Sequence, residues 1–257
     1  MRDNLVVDEV YYKSFINTKE ELIAESQKKI DNYTVVPDRV SLVQHRIFVK
    51  SLEKFIAMYS MGEGLDELKV EYGNVLNCMV KGWEDQIVKF KKGRPQVIYD
   101  KYMLNEYCYM IWMLSLAILL RVSDKEVNML GLIVEKGNVN DELIILLLSA
   151  LTGRKVSNVS KTTYKPFEGI LKSKGNMDSK FIKKYLEKWY SNTKLLMWHN
   201  YKSSIDTTKY YYGYWSFEAA AITCIEGLDD VSYQNNEYYP KDLVDYYRAN
   251  YSSNNEK

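Results

Sequence analysis

Proline and glycine are scarce: the 257 residues hold four prolines and twelve glycines. So few chain breakers exclude collagen-like and many-stranded architectures and leave room for long helices. The only histidines are His45 and His199, and neither has a second histidine or a cysteine at ligand spacing, so no metal site is expected. Cys78, Cys108 and Cys224 are odd in number and far apart. That pattern excludes a disulfide framework and points to reduced thiols. Glycine-rich phosphate loops are missing, as is any set of nucleophile, base and stabiliser, so catalysis is not expected. Net charge is +1, and the field of the whole molecule favours no class of partner. Long apolar runs are also lacking. The densest, residues 109–120 and 143–151, fall short of the roughly 18 residues of a membrane span and read as buried helices. The first nine residues include Asp3, Asp8 and Glu9 where a secretory signal needs an apolar core, so the expected location is cytoplasmic.

What is present is an ordinary globular mix, 46% apolar and 27% charged, with a surplus of 23 tyrosines. Apolar positions recur at helical spacing almost throughout, which predicts an all-α bundle of about ten helices in two packed lobes, with no strand. Residues 5–33 read as helix with a restart at Thr18. Residues 38–60 read as a second helix stopped by Gly62, and residues 65–90 as a third. Pro95 is expected in the first turn of a helix running to Arg121. Ser123 and the residues before Asp141 should start two more helices, the latter stopped by Gly153. A polar stretch, 154–163, reads as a hinge. Short turns around 166–171 and a helix over 178–192 follow.

The densest signal lies near the C-terminus. Residues 211–222 read Tyr-Tyr-Gly-Tyr-Trp-Ser-Phe-Glu-Ala-Ala-Ala-Ile, and residues 238–243 read Tyr-Tyr-Pro-Lys-Asp-Leu. Gly213 permits a tight entry among large rings. The alanines 219–221 allow close approach of a neighbouring helix, and Gly227 should end this one. Glu218, in a segment apolar nearly all round, must find donors or a cation. It reads chiefly as the centre of an internal network, with presentation to a partner as the alternative. Pro240 should sit at the first turn of a last helix, where Asp242 would complement the dipole.

Charge is uneven along the chain. Residues 161–209 carry eleven lysines against four acids, Glu168, Asp178, Glu187 and Asp206. With Trp189, Tyr190 and Trp198 among them, this stretch could contact nucleic acid, although lysines on helix faces are mostly solvated. From 221 to 247 the balance reverses: Glu226, Asp229, Asp230, Glu237, Asp242 and Asp245 face only Lys241. Such an edge is either solvated or complementary to a cationic partner.

Residues 212–221, Gly227-Leu-Asp-Asp230 and Tyr238-Tyr-Pro-Lys-Asp-Leu243 together resemble the C-terminal signature of the PoNe immunity protein family (PoNi). Arg39, Tyr59-Ser-Met-Gly62 and residues 114–121 more weakly resemble its N-terminal domain. The resemblance implies an all-helical immunity protein, with an N-terminal domain over 1–122, a C-terminal domain over 123–250 and a disordered tail over 251–257. It implies no enzyme and no cofactor. The partner it implies is a PoNe-type toxin, a DNase of the restriction-endonuclease-like superfamily delivered by a bacterial secretion system. The chain, as monomer or homodimer, would bind that nuclease and block it, touching neither nucleic acid nor membrane. A nuclease needs a cationic cleft, so the expected toxin contacts are Glu226, Asp229, Asp230, Tyr233, Glu237, Tyr238, Tyr239 and Asp242. Tyr212, Gly213, Tyr214, Trp215, Phe217, Glu218 and Pro240 are expected to define the fold. The competing reading is a helical nucleic-acid-binding or regulatory protein that uses the 161–209 lysines.

Overall fold

The computed structural model describes residues 1–6, 8–154, 163–176 and 178–252. Most of the expected hinge (155–162) and of the expected tail (253–257) lie outside the described residues. Eleven α-helices and a two-stranded sheet are formed among the described ones, so the all-α class holds. The chain divides into two compact units, residues 1–99 with 200–213, and residues 100–199 with 214–257. This division is discontinuous in sequence and does not follow a boundary at 122.

In the first unit, α1 (Glu9–Asp31), α2 (Val40–Met61) and α3 (Leu65–Gly82) pack with α2 in contact with both others. Asp8 caps α1 by accepting from Val10 N. The expected restart at Thr18 does not occur. The Thr18 hydroxyl donates to Ser14 O at 2.8 Å, a bond made inside a continuing helix. Tyr12 and Phe15 from α1, Phe48, Leu52, Phe55 and Tyr59 from α2, and Leu68, Tyr72 and Leu76 from α3 are buried. Each large apolar group so enclosed contributes about 1.5–3 kcal/mol. Gly62 ends α2 with a left-handed φ of 107°, as expected.

α3 ends at Gly82, earlier than expected. A Cβ there would lie 2.4 Å from His45 N and 2.6 Å from Gln44 C, so only glycine lets the end of α3 approach the start of α2. Beyond a short α4 (Asp85–Val88) the chain forms strands β1 (Lys89–Lys92) and β2 (Val97–Tyr102). This hairpin corrects two expectations. There is a strand pair, and Pro95 lies in its turn rather than at a helix start. Val97, Ile98 and Tyr99 are strand formers, and Gly93 (φ 89°) supplies the turn.

The segment 200–213 is held into this unit by the first residues of the chain. Asp3 Oδ1 accepts from the Tyr211 hydroxyl at 2.9 Å and Oδ2 accepts from the Tyr12 hydroxyl at 2.6 Å. The Tyr11 hydroxyl donates to Tyr211 O and the Ser60 hydroxyl to Tyr212 O, both at 2.8 Å. Tyr212 is buried, its ring 6.2 Å from that of Phe15.

The second unit is built on α5 (Leu104–Leu119) and α10 (Phe217–Ile225), which pack together. Every residue of α5 from Tyr107 to Leu119 is buried, so the dense apolar run is a core helix. Around them stand α6 (Asp124–Gly137), α7 (Glu142–Thr152), α8 (Lys165–Glu168), α9 (Lys180–Asn192) and α11 (Lys241–Ser252). Ser123 and Glu126 form a reciprocal capping box at α6, and Asp141 caps α7 by accepting from Leu143 N and Ile144 N. Gly153 stops α7 in the left-handed region. Ile182, Tyr185, Leu186 and Trp189 form the buried face of α9. Among the described residues no helix is long and apolar enough to cross a membrane.

Candidate functional site

From Tyr214 onward, the two halves of the C-terminal signature meet in the second unit. Ser216 N donates to Tyr238 O at 2.8 Å, joining the entry of α10 to the segment before α11. Ala219, Ala220 and Ala221 have no exposed surface, and α10 touches α5, α7, α9 and α11. Small side chains are what permit that many neighbours. Gly213 takes a φ of 112°, open in practice only to glycine.

Glu218, fully buried in α10, is the polar centre of this core. Its Oε1 accepts from Trp189 Nε1 at 2.6 Å, Ser216 Oγ at 2.7 Å and Tyr185 Oη at 2.8 Å. Burial pushes the carboxyl above its ordinary pKa, while these donors act in the opposite direction. Around it the rings of Trp189 and Trp198 stack at 5.3 Å, and Trp112 meets Phe217 edge to face at 6.0 Å. Tyr214 donates to His199 O at 2.6 Å, and its ring lies 5.4 Å from Trp198. Trp215 and Pro240 are buried as well. These signature residues are therefore the internal frame of the unit.

That frame carries the acidic loop. Gly227 (φ 59°) terminates α10, and the chain then runs through turns to α11, which starts at Lys241 directly after Pro240. The eight expected contacts separate into three groups. Asp229, Glu237 and Asp242 are exposed, Asp242 in the first turn of α11. Glu226 and Tyr238 are half-buried. Glu226 Oε2 accepts from Gly175 N at 3.0 Å, and the Tyr238 ring lies 5.0 Å from that of Trp189.

Asp230, Tyr233 and Tyr239 are buried, which corrects their expected place on the contact surface. Asp230 Oδ1 accepts from Arg248 Nη1 at 2.9 Å and Oδ2 from the Tyr239 hydroxyl at 3.0 Å. Tyr233 and Tyr239 meet edge to face at 5.1 Å, and the Tyr233 hydroxyl lies 2.9 Å from Thr223 Oγ1. Burial pushes the Tyr233 phenol up to about 12. Adjacent acids thus have opposite fates: Asp229 faces solvent, with Oδ1 accepting from Val231 N at 3.0 Å, while Asp230 ties α11 to the loop. Beside them Thr223, Cys224, Glu226, Leu228, Tyr247 and Arg248 line an open depression of about 510 Å³.

The lysine-rich stretch is arranged differently from the nucleic-acid reading. Lys183, Lys184 and Lys188 on α9 are exposed, but Trp189 and Trp198 are buried in the aromatic core and offer no stacking surface. Lys161 lies outside the described residues. His45 is buried beside Trp83, and His199 stacks on Tyr190 at 4.0 Å. Among the described residues no cluster of His, Cys, Asp and Glu could hold a metal ion. The sequence reading missed the β1–β2 hairpin, whose signal was the run of Val97, Ile98 and Tyr99 after Gly93 and Pro95.

Residues 2–132 match the model of the PoNe immunity protein (PoNi) N-terminal region, and residues 139–243 that of the C-terminal region. No curated protein matches the chain. Among solved structures, the crystal structure of protein PA2201 from Pseudomonas aeruginosa is similar in fold. Its TM-score is 0.70 at 18% identity, over 97% of this chain and 91% of that one. The chain belongs to the PoNi family of PoNe immunity proteins.

Proposed function

We propose that the chain protects its producer by binding the nuclease domain of its cognate PoNe-type toxin and keeping it from DNA. The observation that carries this reading is the set of exposed carboxylates, Asp229 and Glu237 on the loop and Asp242 in the first turn of α11, with the loop fixed from beneath by Asp230, Tyr233 and Tyr239. A rigid acidic edge can occupy a cationic cleft in place of phosphates and also speeds encounter. Half-buried Tyr238 and the depression beside Glu226 would supply the packed centre that a tight interface needs. An interface of about 1,600 Å² suffices for a stable one-to-one complex. The inhibitor acts by occlusion, with no cofactor and no chemistry of its own.

The test follows plasmid cleavage by the nuclease domain encoded beside this chain while the chain is titrated in. Cleavage should vanish near equimolar ratio. Undiminished cutting in the presence of folded protein would remove that nuclease as the target.

A further inference from the structure

The segment 200–213 leaves the second unit after His199 and rejoins it at Tyr214. Its two ends are tied together there: the Tyr214 hydroxyl donates to His199 O at 2.6 Å and lies 3.1 Å from Trp198 O. Between these ends the chain makes a closed loop of the Ω type. Lys202, Ser203 and residues 206–210 are exposed, so the loop is seated in the first unit chiefly through buried Tyr211 and Tyr212. Its turn is internal, since Thr207 N, Thr208 N and Lys209 N all donate to Ser204 O. The other half of the grip is residues 2–6, which form neither helix nor strand. Asp3 is buried, and its carboxylate takes donors from three parts of the chain: Leu5 N at 3.3 Å and Val6 N at 3.0 Å, the Tyr12 hydroxyl, and the Tyr211 hydroxyl. Arg2 N and Asp3 N donate to Ser60 O, and the hydroxyl of that same serine donates to Tyr212 O. Residues 2–6 and the loop therefore share Asp3 and Ser60 as anchors.

We propose that residues 2–6 and 200–213 form a clasp that opens as one unit, with Asp3 as its lock. Opening presents the rings of Tyr211 and Tyr212 to solvent while α1–α3 and the second unit stay folded. The seat is narrow, a few hydrogen bonds and two rings, whereas α1, α2 and α3 are joined along their buried faces. Parts held by few buried groups open at a lower free energy than the core. The ends of the loop remain tied through Tyr214, so its release does not undo the second unit. One carboxylate both folds residues 3–6 and holds Tyr211, so loosening either half loosens the other.

Hydrogen exchange followed by mass spectrometry on the full chain tests this with Asp3→Ala and, separately, Tyr211→Phe. The second variant removes one hydroxyl, keeps the ring and leaves the backbone of residues 2–6 untouched. In both, amides of 207–210 and of 3–6 should exchange about tenfold faster or more, while α2, α3, α9 and α10 keep wild-type protection. Should Asp3→Ala fail to fold, Tyr211→Phe decides alone. Faster exchange in Tyr211→Phe confined to 207–210, with 3–6 unchanged, overturns the single clasp. An equal rise across the helices of both units makes the opening global and overturns it too. So does wild-type exchange at both places in the folded variants.

Discussion

Arg248 donates through Nη1 to Asp230 at 2.9 Å, and its Nη2 donates to Leu228 O at the same distance. One side chain of α11 therefore holds both the carboxylate and the backbone of the acidic loop. An acid that could have met a partner is instead the brace beneath the acids that can.

The consequence is a separation of stability from binding between adjacent residues. Asp230→Ala leaves Arg248 and the Tyr239 hydroxyl without their acceptor and should cost about 2–3 kcal/mol, read by thermal or urea unfolding. Asp229→Lys should leave the melting temperature within a degree or so and weaken toxin binding, chiefly through a slower, less salt-sensitive association. Equal destabilisation by the two would contradict the burial difference.

Glu218 should show the signature of a carboxylate held above its ordinary pKa. The folded state then binds the proton more tightly than the unfolded one, so this group's contribution is largest at acid pH and is lost as pH rises through the folded pKa. Glu218→Gln keeps an oxygen for Tyr185, Trp189 and Ser216, and should match or exceed wild-type stability with a gap that widens from mildly acid to neutral pH. Glu218→Ala strands three buried donors and should cost about 3–5 kcal/mol. Unfolding free energies across the pH range separate these outcomes.

His45 runs the other way. Burial pulls its pKa from 6.5 down to about 4, with the Arg46 charge acting in the same direction. Below pH 6.5 the unfolded chain takes up the proton that the folded chain refuses, so stability should fall as pH drops from 6.5 toward 4. The effect is bounded at about 3 kcal/mol. His45→Gln should flatten that limb of the profile, whatever its effect at neutral pH. An unchanged slope would assign the acid sensitivity to other groups.

Gly82→Ala should be among the costliest single-methyl additions. The new Cβ meets backbone at 2.4–2.6 Å, where no side-chain rotation relieves it. A loss of about 1–3 kcal/mol is expected, with α2 and α3 displaced. By contrast, a Cβ at Gly175 meets nothing within 4 Å; its φ of 64° alone makes alanine there mildly unfavourable, so the two melting temperatures should differ clearly.

Local chemistry was legible wherever it acts within one element. Periodicity and capping residues placed α2, α6, α7, α9 and α10 nearly to their ends, since each rule depends on neighbours a few positions away. The signature at 212–221 and 238–243 marked the family, and the three alanines rightly placed α10 at the centre of its neighbours. What the sequence could not decide depended on pieces far apart in the chain. α3 stopped at Gly82 because the backbone of α2 lies against it, and the freed residues paired as a hairpin. Asp229 and Asp230 are indistinguishable as letters. Only the docking of α11, which brings Arg248 and Tyr239 to one of them, makes Asp230 a buried brace and leaves Asp229 free to meet a partner. Burial is a property of the assembled unit, and burial divided the acids into frame and surface.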